Sequence, residues 1–405
     1  MTNSDKQRIR ELAKEQLEFA NDPKMKTLAT EWTALNDGKL IRPMVTVELG
    51  TFADDILPQL MQCETEEGRR WERMLLSNIV NHKYFKDDTF VRDFIPVSRG
   101  SYFKPFDLDT TMQHTDGVGY HFVSVLTDLE EDFEKLKPSS FGISPKEEME
   151  RYADEVNDLI GDILPAKQTG NSLYAVPTQN LVHLMNMEDL YIAMYDAPEL
   201  FKKMMDMLAD DYLAYYDLME KEGILLPTVS SEWLGQGTYC FNSTLPRENV
   251  TSTTQLWGFM DSQESTGISP EMFAEFIFPC YKKIAARYGM LSYGCCEAVD
   301  PIWENCLSTL PNLRRVSISP WCNEEKMGEI LKGTNIVYHR KPAPNFLGVG
   351  STLDEDGFRA HIRKTVNAAK GCNLEITQRD VYTVGGSIDK VRRYVEIVRE
   401  ECENF

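Results

Sequence analysis

An α/β barrel is the fold class this sequence predicts. Three observations carry it. Strand, loop and helix signals alternate at least four times in succession after residue 224, no glycine-rich phosphate loop follows any of those strands, and no long linker divides the 405 residues. Such alternation implies a parallel sheet, closed into a barrel or open and doubly wound. Without a phosphate-binding fingerprint a nucleotide fold has little support, which favours the barrel. A barrel of this kind runs longer than an average domain. One domain over 1–405 is the simplest organisation, with 1–42 as a helical N-terminal extension.

The opening segment reads as a helix, with Ile9, Leu12, Ala13 and Ala20 on one face amid Lys and Glu. Pro43 to Glu48 alternates like a strand and stops before Gly50. Signals over 51–140 are mixed: a helix around Trp71, Leu75 and Ile79, a strand at Phe90-Val91-Arg92, and an acidic run from Asp128 to Glu134 expected as a solvated face. Ser144-Pro145-Lys146-Glu147 places an N-cap, a first-turn proline and a capping-box glutamate in order, opening a helix to about Ile160. Asp196-Ala197-Pro198-Glu199 opens a longer helix closed by Gly223, whose Met204, Met205 and Met207 read as core filling.

From there the punctuation is regular. Ile224-Leu225-Leu226 reads as a strand leading into a long Gly-, Ser- and Thr-rich loop. Ser269-Pro270-Glu271 caps a helix ending at Gly289 and kinked at Pro279. Met290–Tyr293 is a strand, and Asp300-Pro301 starts a helix. A strand at Arg315–Ile318 is followed by Trp321 and a helix to Leu331. Ile336-Val337-Tyr338 is a strand ending at His339, and a helix through Phe358, Ile362 and Val366 closes at Gly371. A strand at Leu374-Glu375-Ile376 precedes a last helix capped by Ser387.

A net charge of −21 repels nucleic acid and anionic membrane surfaces, so neither is an expected partner. Nine scattered cysteines and an N-terminus without an apolar signal core point to free thiols in a reducing, cytoplasmic setting. No apolar stretch reaches the roughly 18 residues that a membrane span needs.

Active sites of α/β barrels lie at the C-terminal ends of the strands. That rule selects Glu48, the 257–265 segment, the turn Tyr293-Gly294-Cys295-Cys296-Glu297, Trp321, His339 and Gln378-Arg379-Asp380. Two soft sulfurs, Cys295 and Cys296, beside the carboxylate of Glu297 suit a zinc ion, although no CxxC pair accompanies them. His339 could be a metal ligand, an acid, a substrate contact or a hydrogen-bonded core histidine. The remaining histidines show no HxxxH or HExxH spacing. Trp257-Gly258-Phe259-Met260-Asp261-Ser262-Gln263-Glu264 is dense in groups that line pockets, with Asp261 and Glu264 as candidate proton donors or ligands and Gln263 as a substrate contact. Asp380 could supply an oxygen ligand or pair with Arg379.

Over roughly 170–400 the chain resembles the uroporphyrinogen decarboxylase superfamily, and especially its cobalamin-linked methyltransferase branch. The residues that carry this are the Met-rich helices ending in Glu220-Lys221-Glu222-Gly223, the helix start Ser269-Pro270-Glu271-Met272-Phe273, and the final helix from Val391 to Val398. The resemblance implies a (β/α)₈ barrel, often dimeric. The decarboxylases carry an arginine-rich segment after the first strand, where this chain reads Glu48-Leu49-Gly50-Thr51-Phe52. The methyltransferases carry a His-x-Cys pair on a late strand and a cysteine after the last strand, all binding zinc. Here the pair's place reads Tyr293-Gly294-Cys295 and the last ligand's place falls near Asp380, while Cys372 lies before the last strand. The chain is most similar to ether-cleaving methyltransferases, whose zinc ligands vary and include carboxylates.

The resemblance therefore implies zinc held by Cys295, Cys296 and Asp380 and acting as a Lewis acid on a methoxy oxygen. A reduced corrinoid on a separate protein would take the methyl group. Glu264, Asp261 or Glu297 would deliver a proton, and Tyr293, Trp321 and Trp257 would sandwich an aromatic substrate. Two rival expectations are a metal-free decarboxylase of a polycarboxylate, gripped by Arg340, Lys341 and Arg379, and a non-catalytic corrinoid- or metal-binding partner.

Overall fold

The computed structural model describes residues 1–114, 119–403 and 405. Seven strands form one parallel sheet: β1 (Met44–Val47), β2 (Leu173–Ala175), β3 (Trp257–Met260), β4 (Met290–Tyr293), β5 (Leu313–Ile318), β6 (Val337–Arg340) and β7 (Asn373–Gln378). Each strand from β2 to β7 pairs with the next, and β7 pairs with β1, Met44 opposite Glu375 and Val47 opposite Gln378. The two free edges are β1 and β2. The architecture is thus an α/β sheet that curls back on its first strand. No eighth strand bonds across the remaining opening among the described residues.

What fills the opening follows from hydrogen-bond accounting, since a strand edge cannot be left unpaired in a core. On β1, Val45 N–H donates to Asp88 Oδ2 (2.8 Å), Val47 N–H donates to Asp87 Oδ2 (2.9 Å), and Val45 C=O accepts from Asp88 N–H (2.8 Å). Asn81 Nδ2 donates to Val47 C=O (2.7 Å). The segment 228–242, with a short antiparallel ribbon at Trp233–Gly235 and Thr238–Tyr239, spans the gap. Thr46 donates to Gly237 C=O (3.1 Å) on one side, and on the other Trp257 Nε1 donates to Cys240 C=O (3.0 Å). Gly237 has φ +81°, and a Cβ there would stand 2.3 Å from Thr377 Cγ2. Only glycine lets that backbone reach the sheet interior.

Helices flank the sheet, and their caps are the ones the punctuation marks. Ser269 and Ser387 accept from the amides of Met272 and Lys390, and Pro198–Lys221 ends just before Gly223 at φ +61°. The helices Asn3–Ala20 and Pro23–Asn36 make up most of the N-terminal extension, and the first packs on Glu66–Val80.

Several expected elements differ. Phe90-Val91-Arg92 is loop, because the edge of β1 that it would pair with is taken by Asp87 and Asp88. Ile224–Leu226 is unpaired, and the opening is crossed by 228–242 instead. Asp300-Pro301 starts a series of turns rather than a helix. Pro145 itself occupies the N-cap of Lys146–Ile160, with no side-chain cap from Ser144. The bend expected at Pro279 is preceded by a π-turn over Phe273–Ile277. In the acidic run, Asp132 is buried and accepts from Thr127 N–H (2.8 Å). No helix among the described residues is long and apolar enough to cross a membrane.

Candidate functional site

The C-terminal ends of β3, β4, β6 and β7 converge on a buried cluster of charged and sulfur-bearing side chains. Glu297 braces it. Its Oε1 accepts from Ser262 N–H (2.9 Å) after β3 and its Oε2 from Cys295 N–H (2.8 Å) after β4. One carboxylate thereby locks two strand-end loops. Gly294, at φ +99°, makes the turn that brings the cysteines round, with its N–H on Met260 C=O (2.8 Å) and its C=O accepting from Ser317 Oγ (2.7 Å).

Cys295 Sγ and Cys296 Sγ lie 3.5 Å apart, and Cys296 Sγ lies 3.6 Å from Asp380 Oδ2. Asp380 sits in the left-handed region at φ +58°. Arg379 points at Cys295 Sγ from 3.6 Å and also bonds Glu48 and Gln236. Lys341 Nζ, fully buried, donates to Cys295 C=O (3.1 Å) and to Gln236. The hydrogen bond from Cys296, with the charges of Lys341 and Arg379, holds the Cys295 thiol below its ordinary range. That same bond, together with burial, pushes Cys296 up, so the pair shares a proton with the negative charge on Cys295.

Asp261 is the second unusual group. Burial, then the negative neighbours Glu297, Cys295 and Glu264, push its carboxyl up to about 9. Its Oδ1 has no hydrogen-bond partner. At neutral pH it is a carboxylic acid holding a proton in a buried site. Glu264 is also raised, chiefly by burial, and accepts from Thr178 Oγ1 (2.8 Å). Thr178 lies 2.9 Å from the Tyr281 hydroxyl, which donates to Asp261 C=O (2.7 Å).

Of the expected residues, Glu48, Asp261, Glu264, Cys295, Cys296, Glu297 and Asp380 belong to this network. Gln263 lies between Ser262 and Glu264 in a short 3₁₀ turn, partly exposed. Asp380 is next to Cys296, and Arg379 pairs with Glu48, so the expected Arg379–Asp380 surface pair does not form. The three aromatic residues expected around a substrate are placed differently from one another. Trp257 starts β3, at the opposite end of the sheet, fully buried with Val229, Cys240 and Met290. Tyr293 is buried and meets the Tyr281 ring edge-on at 6.3 Å instead of facing an opening. Trp321 is 77% exposed, with only its backbone N–H held by Ser319. His339 lies inside the sheet, Nε2 2.9 Å from Thr377 Oγ1 and 3.7 Å from Glu375, and burial with Arg315 keeps it neutral. Of the readings open for His339, the buried, hydrogen-bonded core histidine is the one observed. Arg340 points to the other face of β6, paired with Glu324 at 3.0 Å.

Lys341 and Gln236 complete the cluster. Lys341 was legible only as a cation at a strand end. Gln236, between Gly235 and Gly237 at φ +58°, had one signal, the Gly-x-Gly that permits left-handed backbone. Thr178 and Tyr281 carried none.

Zinc can be weighed against these residues. Two sulfurs and a carboxylate oxygen are chemically apt, and the separations of 3.5 and 3.6 Å match donors about 2.0–2.3 Å from one tetrahedral ion. Yet among the described residues no group of three or more His, Cys, Asp and Glu side chains is arranged to hold a metal ion. The cation Arg379 already faces Cys295 Sγ from 3.6 Å, and Lys341 holds the Cys295 carbonyl.

Comparison with solved structures finds the same fold in a methyltransferase from Methanosarcina mazei, at a TM-score of 0.53 and 12% identity, covering 92% of this chain and 98% of that one. At that identity the likeness is one of fold. A GH138 enzyme targeting pectin rhamnogalacturonan II aligns at a TM-score of 0.23 with 15% identity, over 64% of this chain and 35% of that one, too low to carry an argument. No protein-family model matches the chain, and no curated protein matches it.

Proposed function

We propose that the protein is a methyltransferase that takes a methyl group from a methoxylated aromatic substrate and passes it to a reduced corrinoid carried by a separate protein. The reaction class comes from the structural neighbour, itself a methyltransferase. The single observation that carries the reading is Asp261, a buried acid that keeps its proton to about pH 9 and has a free oxygen beside the strand ends.

Demethylating an ether breaks a CH₃–O bond. The methyl carbon takes the acceptor's electron pair, and the oxygen keeps its own pair and needs a proton. In this reading Asp261 gives that proton, and the bonds among Glu264, Thr178, Tyr281 and the Asp261 carbonyl hold its loop. Lys341 and Arg379 supply positive charge where the oxygen becomes negative. Zinc would polarise the same oxygen as a Lewis acid, and Cys295, Cys296 and Asp380 are the residues that would hold it. A corrinoid protein, and a second copy of the chain, are the partners this reading brings with it.

The test is methyl transfer from a panel of methoxylated arenes to cob(I)alamin on its carrier protein, alongside metal analysis. Methylcobalamin formation that is lost in Asp261→Asn supports the reading. No transfer across the panel overturns it. Stoichiometric zinc that disappears in Cys295→Ser and Cys296→Ser supports the metal, and its absence from active protein removes zinc from the scheme. The polycarboxylate decarboxylase is less favoured, because Arg340, one of its three gripping cations, is turned away and paired with Glu324.

A further inference from the structure

A cavity of about 400 Å³ opens beside the cluster, between the C-terminal end of β1, the ribbon around Trp233 and the loop 89–96. Its charge balance is unusual. Among the described residues it is lined by one anion, Glu48, and one cation, Arg92. Glu48 is already neutralised by Arg379. Arg92 makes no ion pair among the described residues. Its Nε donates to Ser231 Oγ (3.1 Å) and its Nη2 to Ser231 C=O, which fixes the plane of the guanidinium, while Nη1 has no acceptor among the described residues. Glu232 feels the charge of Arg92 but forms no ion pair with it, its carboxylate accepting instead from Ser230 N–H (2.6 Å). In a chain of net charge −21, an arginine held rigid in a cavity wall without an ion-paired carboxylate is open to an anion. Four aromatic residues, Phe90, Phe94, Trp233 and Tyr239, share the other walls with uncharged polar side chains such as Gln16, Asn78 and Asn81. Trp233 is 46% exposed, a flat surface offered to the cavity.

We infer that this cavity binds the substrate and that the substrate is an aromatic carboxylate, its ring against Trp233 and Phe90 and its carboxylate on Arg92. The carboxylate end sits on Arg92. The far end of the ring is directed towards Glu48, which is joined through Arg379 to Cys295. The methoxy group in this picture rests on the methyl-transfer reading above. The aromatic anion does not, since it follows from the cavity alone.

The experiment measures binding to the whole protein with no methyl acceptor present, so its outcome is independent of whether methyl transfer occurs. 4-Methoxybenzoate and its neutral isostere 4-methoxybenzamide are titrated by calorimetry and by quenching of tryptophan fluorescence. The expected result is that the benzoate binds about 10- to 100-fold more tightly, the worth of one charge-assisted contact. Arg92→Gln abolishes that preference, Arg92→Lys retains part of it, and Trp233→Ala weakens both ligands. Equal affinity for the two ligands, or binding of neither, by the unmodified protein overturns the inference without recourse to a variant. So does a folded Arg92→Gln protein, checked by its melting temperature, that still prefers the benzoate.

Discussion

At Asp261, three negative neighbours and burial keep a proton on a carboxyl group that in water would lose it near pH 4. Two predictions belong to this residue. On the proposed methyl-transfer reading, with the protonated form as the working one, the rate is constant through neutral pH and falls as pH rises through about 9. Asp261→Asn then slows the reaction about 10²- to 10⁴-fold and removes that alkaline limb, while substrate affinity is kept. Stability runs the same way with pH as activity, but the substitution acts on the two in opposite senses. A carboxyl whose folded pKa is raised stabilises the fold below its unfolded pKa, and that contribution is lost as pH rises towards 9. Asp261→Asn therefore melts a few degrees above the unmodified protein at pH 8, with the gap closing at pH 4 in scanning calorimetry. Glu297 behaves differently, because both of its oxygens accept from backbone amides. Glu297→Gln turns an acceptor into a donor facing an N–H and costs about 1–3 kcal/mol in urea unfolding.

The edge of β1 is an element-scale case. An unpaired strand edge is satisfied here by the side chains and backbone of Asp87, Asp88 and Asn81. Asp88 is the costliest of these to lose, because it also accepts from Arg42 (2.9 Å) and Arg399 (2.8 Å). Asp88→Ala removes the ion-pair partner of Arg399 and one of the two partners of Arg42, which keeps Glu31, and leaves a strand amide unpaired. It is expected to lose about 3–5 kcal/mol, read as a lowered denaturant midpoint, with faster amide exchange at Val45 than in β5. The same element explains a misreading of the sequence. Phe90-Val91-Arg92 has strand-forming residues, but the chain spends its pairing capacity at the two aspartates just before it, and no residue preference reports that.

Across the whole molecule, a polar axis runs down the inside of the sheet. Arg315 on β5 pairs with Glu375 on β7, His339 on β6 leans on both Glu375 and Thr377, and Asn36 of the N-terminal extension accepts from Arg315. Asn36 also donates to Tyr239 C=O (3.0 Å) and Phe241 C=O (2.7 Å), which ties the 228–242 segment to the same axis. Five parts of the chain are thus tied to one buried charge pair. Glu375→Gln leaves Arg315 unpaired in the core and is expected to destabilise the protein by about 3–5 kcal/mol. The double change Glu375→Leu with Arg315→Met costs less than that single one, measured as a double-mutant cycle in guanidinium unfolding.

The sequence by itself determined the alternating α/β architecture, the helix limits at Ser269, Ser387 and Gly223, and the 293–297 turn as a place where strand ends gather reactive groups. These rest on local chemistry: caps, positive φ and the period of apolar residues, each written within a few positions. Only the tertiary structure decided which way the side chains at those strand ends face. Tyr293, Arg340 and Trp257 had the right residue types at or near a strand, yet alternation sends Tyr293 and Arg340 to the helix side, and Trp257 sits at the wrong end. It also decided the charge state of Asp261 and the partners of Cys295, since Lys341, Arg379 and Gln236 come from separate loops. Burial and long-range proximity set those properties, and neither is a property of any single stretch of chain.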